Sequence, residues 1–315
     1  MGQDKGYRIK EMGTLKNLRG EINIYNLEKV KDEEEAKSAK LKEKEIFKLG
    51  LFWSYFNGEF DRYDRDEKVL EGLHPHPNLK SLTIECYMGK KFPSWVNDLS
   101  IFHNLICIKL NICTGCEDVP TLGHLPCLRV LEIKYMKNVR IIGSEFYSYS
   151  DGSYRNTTLF PALRILKLEW MYSLEEWKDA KELTSAGEVL LVFPCLEELI
   201  IRRCNKLRDL PDSLHTCISH QKLVIQGSPK LRSLPVIRHL EIIGCGIDEL
   251  SSGLEFCASL QYLEIRSCLN LKSIPESLQT CVSLQKFVVS GCPDLRYVSS
   301  GIQHLMIIGC GSGLH

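Results

Sequence analysis

The chain has 315 residues, with 40 Lys plus Arg balanced by 40 Asp plus Glu, 44% hydrophobic residues and 14 Cys, which excludes disordered, collagenous and coiled-coil proteins. A formal net charge of zero withholds the sequence-independent attraction that nucleic acid or an anionic membrane requires, unless charge is segregated along the fold. Residues 1–10 (MGQDKGYRIK) hold no apolar signal segment, and no stretch approaches the roughly 20 apolar residues of a membrane span, so the expected compartment is the cytoplasm.

An internal repeat organises the chain. A Leu-x-x-Leu-x-Leu frame opens weakly with Leu18-Ile22-Ile24, which carries one extra residue in its first gap, and Ile46-Leu49-Leu51. Between these two, residues 27–46 lack Gly and Pro and place Glu33 four residues before Lys37, which predicts a helix on the outer, convex side. Residues 57–68 are polar and read as a loop insertion. The frame then returns as Leu79-Leu82-Ile84, Leu105-Ile108-Leu110 and Leu128-Leu131-Ile133. A second loop insertion is predicted at 144–158, before Leu163-Leu166-Leu168, and a third at 178–188, before Leu196-Leu199-Ile201. The last five copies are His220-Leu223-Ile225, Ile237-Leu240-Ile242, Leu260-Leu263-Ile265, Leu284-Phe287-Val289 and Ile302-Leu305-Ile307. The copies, about 12 in all, scatter around the ~20 to 29 residues of a leucine-rich repeat.

Within each copy the alternation has period two, so each makes a short strand with its apolar side inward. One copy cannot bury that side alone; stacked copies join into a single parallel sheet lining a concave wall. Leu-x-x-Leu-Pro pieces at 207–211, 231–235 and 271–275, and Val119-Pro120, favour extended or short-turn convex segments over long helices. The predicted fold is α/β: a leucine-rich-repeat horseshoe over residues 1–315, read as one domain.

The frame also explains the cysteines. Cys113, Cys204, Cys245, Cys268, Cys292 and Cys310 occupy its ninth position, where Asn or Cys fills the turn after the strand. Cys217, Cys257 and Cys281 stand three residues before the frame, and Cys127 and Cys195 one before. All are expected to be small buried hydrophobes. The one Cys-x-x-Cys, Cys113 to Cys116, has no second pair, and His74 and His76 lie in a Pro-rich turn, so neither a zinc site nor a redox dithiol is expected. No nucleophile motif appears, and His220 reads as a weakened core position rather than a catalytic base. The predicted cofactor, metal and catalytic sets are empty. The sequon Asn156-Thr157-Thr158 reads as a chance match without a signal peptide.

Function is therefore expected on the outward positions of the sheet. Their acidic and basic members nearly balance, which disfavours a nucleic-acid groove. Val130, Ile165, Ile200, Val224, Ile243, Val288, Met306 and Ile308 also point outward, on a face that a partner would cover. Lys167, Glu169, Arg202, Tyr262, Glu264 and Arg266 are the candidate protein-binding residues, with Tyr262, Arg202 and Arg266 as anchors because Arg and aromatic side chains dominate hot spots.

Several stretches carry more than the bare repeat: Asp4-Lys5-Gly6-Tyr7-Arg8, residues 15–27 (LKNLRGEINIYNL), 76–96 (HPNLKSLTIECYMGKKFPSWV), 116–126 (CEDVPTLGHLP) and 139–147 (VRIIGSEFY). From about Asp4 to about Cys310 the chain resembles the leucine-rich-repeat region of plant intracellular disease-resistance proteins of the coiled-coil, nucleotide-binding type. The resemblance implies a module that senses pathogen effectors or modified host proteins and holds the receptor's nucleotide switch off. Its partner would be an effector, a host protein or an adjoining nucleotide-binding domain. The chain has no Gly-x-x-x-x-Gly-Lys-Ser/Thr phosphate loop, so nucleotide binding does not carry over, and it is read as a fragment or shortened product. The alternative from another class is a free-standing repeat adaptor, such as the substrate-recruiting arm of a ubiquitin ligase; an extracellular receptor ectodomain is a third.

Overall fold

The computed structural model describes residues 8–54, 63–147, 158–180, 190–216, 222–231, 237–245, 260–274, 276–298, 302 and 304–311. Each frame copy becomes a strand, and twelve strands join one sheet in strict chain order, every pair parallel. They are β1 (Gly20–Ile24), β2 (Ile46–Phe52), β3 (Ser81–Glu85), β4 (Cys107–Asn111), β5 (Val130–Lys134), β6 (Ile165–Glu169), β7 (Glu198–Arg202), β8 (Lys222–Gln226), β9 (His239–Ile243), β10 (Tyr262–Arg266), β11 (Lys286–Ser290) and β12 (Leu305–Ile308).

The register follows the apolar frame. Leu82, Ile108, Leu131, Leu166, Leu199, Leu223, Leu240, Leu263 and Phe287 face one another from strand to strand, and all are buried. A one-residue slip would turn that whole row into solvent, so burial itself specifies the pairing. The one irregularity lies at the first pair: pairing jumps from Gly20 with Ile46 to Glu21 with Lys48, which leaves Phe47 of β2 as the extra residue of a bulge.

From β3 to β12 the residue after each strand takes a left-handed conformation. It is Cys86, Ile112, Tyr135, Trp170, Arg203 and Ser267 in some copies and Gly227, Gly244, Gly291 and Gly309 in others. This turn aims its N–H at the last carbonyl of the next strand, as in Trp170 N–H to Arg202 O at 2.7 Å and Gly291 N–H to Ile308 O at 3.0 Å. The ladder thus continues one residue past the strands before the chain turns outward. The ninth-position cysteines then point back beneath it: Cys204 Sγ lies 3.5 Å from Leu168 O, and Cys245 Sγ 3.8 Å from Ile225 O.

The convex side departs from the expected long helix at 27–46. After a one-turn helix α1 (Ile9–Met12) at the start of the described chain, it contains α2 (Glu33–Lys37) between single 3-10 turns at Leu27–Lys29 and Leu41–Glu43, and Ile46 already belongs to β2. Asp32 caps α2 by accepting from Glu35 N–H at 2.9 Å, and a left-handed Lys40 ends the helical stretch. The predicted Glu33–Lys37 pair forms at 2.7 Å. The loop expected at 57–68 is in part helix: after residues 55–62, which lie outside the described set, α3 spans Tyr63–Gly72. Its Glu67 accepts from Lys90 N–H and Lys91 N–H, while Glu71 accepts from Ser94. Trp95 Nε1 donates to Leu70 O at 2.9 Å, which explains the Phe92-Pro93-Ser94-Trp95 piece as a clasp between neighbouring repeats.

The insertion expected at 144–158 begins in the core. Phe146 and Tyr147 are fully buried among Phe160, Trp177 and Phe193, and Tyr147 Oη donates to Lys178 O at 3.0 Å; residues 148–157 lie outside the described set. Of 178–188, Ala180 is buried, and 181–188 are likewise outside. The thiols that precede the frame differ from one another: Cys281 is buried as expected, but Cys127 and Cys195, expected buried, are exposed. They sit just before the strand, where the chain returns along the surface. Cys217, Cys257 and His220 lie outside the described residues.

Truncating Leu199 or Leu263 to Ala should cost about 2–5 kcal/mol in denaturant unfolding, because a rigid stack closes a cavity poorly. Native thiol labelling followed by peptide mapping should modify Cys127 and Cys195 first. Cys113, Cys116 and Cys204 should resist until unfolding, since burial also pushes each thiol pKa upward, Cys204 to about 12.

Candidate protein interface

In-register stacking sets the outward residues in rows across the concave face, with neighbouring strands ~4.8 Å apart. The middle row reads Lys109, Glu132, Lys167 on β4, β5 and β6; two residues further along, Lys134, Glu169, Arg202 lie on β5, β6 and β7. Each row alternates plus, minus, plus.

The two carboxylates are not on the surface. Glu132 is 8% exposed and Glu169 4%. Glu132 Oε1 receives Lys167 Nζ at 3.0 Å and faces Lys109 Nζ at 3.8 Å, while its Oε2 lies 3.2 Å from Lys134 Nζ. Glu169 holds Lys134 through Oε2 at 2.9 Å and Arg202 through Oε1 at 2.7 Å. Lys134 therefore bridges the two carboxylates, and the cations stand above them, partly in water. Burial alone would raise the Glu132 carboxyl; the hydrogen bond from Lys167 and the charges of Lys134, Lys167 and Lys109 overcome it, so its pKa falls below the ordinary glutamate range. The same surroundings raise the Lys134 ammonium against its burial.

A second cluster lies three strands further along. Glu264, 6% exposed, accepts from Tyr262 Oη at 2.8 Å and from Arg266 Nε at 2.6 Å. Tyr262 stacks on His239, centroids 4.1 Å apart, and Lys286 Nζ lies over its ring at 5.3 Å. His239 and Lys222 reach Glu241 at 2.9 and 3.2 Å. Burial and the Glu264 bond push the Tyr262 phenol up to about 12.

The six residues expected to bind thus fall into two groups. Glu169 and Arg202 pair directly, with Lys167 beside them on Glu132; Tyr262, Glu264 and Arg266 pair among themselves. Glu169 and Glu264 are buried orienting groups rather than exposed contacts. Among the outward aliphatics, Ile200, Val224 and Val288 are buried, because neighbouring side chains on closely spaced strands close over the middle row. Met306 and Ile308 are exposed, 53% and 54%. The frame does not show that the left-handed residues beside the second charge row are Tyr135, Trp170 and Arg203, two aromatics and a guanidinium. Tyr135 stacks on Trp170 at 5.0 Å and 8°, and the Arg203 guanidinium lies 4.3 Å from the Trp170 ring. Aligning the position after each strand would have found Tyr, Trp and Arg in three successive repeats.

Among the described residues no group of three or more His, Cys, Asp or Glu could hold a metal, and no helix is long and apolar enough to cross a membrane.

The consecutive parallel strands, the left-handed turn and the ninth-position cysteines define a leucine-rich-repeat protein, a class whose repeats mediate protein–protein contact. Residues 9–136 match the family described as R13L1/DRL21 LRRs. The chain is 32% identical over 284 residues to putative disease resistance RPP13-like protein 1 of Arabidopsis thaliana, covering 85% of this chain and 26% of the relative. It is 33% identical over 283 residues to disease resistance protein RGA2 of Solanum bulbocastanum, covering 88% of this chain and 26% of the relative. Among solved structures, the leucine-rich repeat domain of the type III effector XCV3220 (XopL) aligns with a TM-score of 0.38 at 14% identity, over 87% of this chain and 71% of that one. The chain belongs with the leucine-rich-repeat regions of plant disease resistance proteins, and spans about a quarter of the length of those two relatives.

The depressed Glu132 carboxyl predicts a pH dependence with a definite sign. A group whose pKa is lower in the folded state stabilises the fold above its unfolded value, about 4.3, and that stability is lost as pH falls through the folded value. The urea midpoint should therefore drop below about pH 4.3, and Glu132→Gln, which cannot titrate, should flatten that drop.

Proposed function

We propose that residues 1–315 form one repeat domain that acts in the cytoplasm as the effector-sensing and autoinhibitory module of a plant immune receptor. It works without catalysis, by concave-face contact with a pathogen effector, a host protein or an adjoining nucleotide-binding domain. The observation that carries this reading is the prearranged concave face. Buried Glu132, Glu169 and Glu264 fix partly exposed Lys, Arg and Tyr groups in place, and pre-ordered side chains lose little entropy on association. Lys167, Arg202, Tyr262 and Arg266 supply the contacts, while Glu169 and Glu264 orient them.

Affinity purification from leaf extract tests the reading, using the chain, Arg202→Ala, Tyr262→Ala and the exposed convex variant Lys37→Ala. A partner recovered by the chain and by Lys37→Ala should fall at least about fivefold with either concave variant, at melting temperatures within about 4 °C of the parent. Undiminished recovery by both concave variants would overturn the concave-face assignment.

A further inference from the structure

We propose that the face formed by β4 to β7 is built to dock an acidic, extended segment of a partner protein, running across the strands along the two charge rows. This rests on the concave-face reading above and adds the chemistry of the occupant.

The chain is neutral as a whole, but this face is not. Four cations, Lys109, Lys134, Lys167 and Arg202, share two carboxylates, Glu132 and Glu169. The carboxylates are buried beneath the cations, with side-chain exposures of 10% and 6%, against 40%, 27%, 25% and 40% for the cations. Along the two rows an approaching molecule meets the cationic layer, with a formal excess of two positive charges; outward Glu198, at the start of β7, is 30% exposed beside Lys222 and leaves the outward positions of β4 to β7 together at one. The cations alternate between the rows, one strand at a time, so successive charges are about 8 Å apart by strand spacing and rise per residue. Same-side residues of an extended peptide repeat at ~6.6–6.8 Å, between the ~4.8 Å advance per strand and the diagonal separation of the cations, so the flexible side chains of an extended acidic segment and of the Lys and Arg residues span the difference. Each would replace part of the water lost by a Lys or Arg head whose own pair is already satisfied.

The aromatic rim separates a protein segment from a nucleic acid. Base stacking needs a free ring face, and Trp170 has none to offer: Tyr135 from the preceding repeat covers one side and Arg203 from the following repeat covers the other. Its edge and the partly exposed Tyr135 ring form a low apolar wall beside the Lys134–Glu169–Arg202 row. Such a wall fits an aliphatic or aromatic side chain between acidic residues. The buried Glu132 and Glu169 also repel a continuous phosphate backbone more than they repel scattered carboxylates.

The test is fluorescence anisotropy on the full chain with three probes of equal length: a labelled peptide alternating Glu with Gly and one Leu, its Lys counterpart, and oligo-dT. The acidic peptide should bind, the Lys peptide should not, and affinity should fall steeply between about 50 and 300 mM salt as screening shortens the reach of the cations. Lys109→Gln and Lys167→Gln should each weaken it by about tenfold, Lys109→Gln with melting unchanged, and Lys286→Gln, on β11, should leave it unaltered. Lys109→Gln serves as the structurally mild member, since it removes the longest contact, at 3.8 Å. Absence of acidic-peptide binding, binding that ignores both β4 and β6 variants, or tighter binding of oligo-dT through the same residues would each overturn the proposal. The proposal alone fails if Arg202→Ala still abolishes capture of the leaf partner while the acidic peptide does not bind; if capture survives Arg202→Ala and Tyr262→Ala, the concave-face reading fails instead.

Discussion

Every other feature of this molecule depends on parallel stacking in strict register. A five-residue strand with two inward apolar side chains is unstable alone; its core exists only because the preceding and following strands supply the other walls. Leu166 is buried because Leu131 and Leu199 flank it at the same level. The constraint is transmitted along the chain by short connections, so one cavity weakens three repeats rather than one.

The same register that buries the inward rows forces the outward rows into contact, whatever their chemistry. Like charges side by side would repel at strand spacing; here the rows alternate, Lys109 with Glu132 with Lys167 and Lys134 with Glu169 with Arg202. Because neighbouring side chains close over the middle row, the carboxylates lose water. A buried carboxylate without partners would be costly, and Lys134 resolves this by serving both at 3.2 and 2.9 Å. The outcome is a face whose negative charge is internal and whose positive charge is presented.

The inward half of this architecture was legible in the sequence, since period-two alternation and the ninth-position cysteines are local patterns within one repeat. The outward half was legible only as a list. Lys109, Glu132 and Lys134 could be assigned to the face, but the partnerships of Lys167 with Glu132 and Arg202 with Glu169 span 35 and 33 residues, and irregular repeat lengths hide such pairs until the register is known. The convex side was least legible. The charge-rich stretch at 27–46 has helical composition, yet Asp32 caps it late and Lys40 turns left-handed early, so packing against α3 rather than propensity sets its extent. The burial of Phe146 and Tyr147 was not legible, because two aromatics bordering a polar insertion carry no periodicity.

The left-handed residue after each strand joins the two halves. Its N–H must reach the next strand's last carbonyl, a demand that Gly meets without steric cost and other residues meet with some strain. Later repeats meet it mostly with Gly227, Gly244, Gly291 and Gly309; earlier ones place Ile112, Tyr135, Trp170 and Arg203 there. Backbone strain persists where the surrounding structure over-determines it and where the side chain so displayed is useful. In β5 to β7 the displayed side chains are Tyr135, Trp170 and Arg203, which stack into one rim directly beside Lys134, Glu169 and Arg202. All four repeats that carry the charge rows accept this conformational cost, as Cys86 after β3 and Ser267 after β10 also do, so backbone geometry and surface chemistry overlap over β4 to β7.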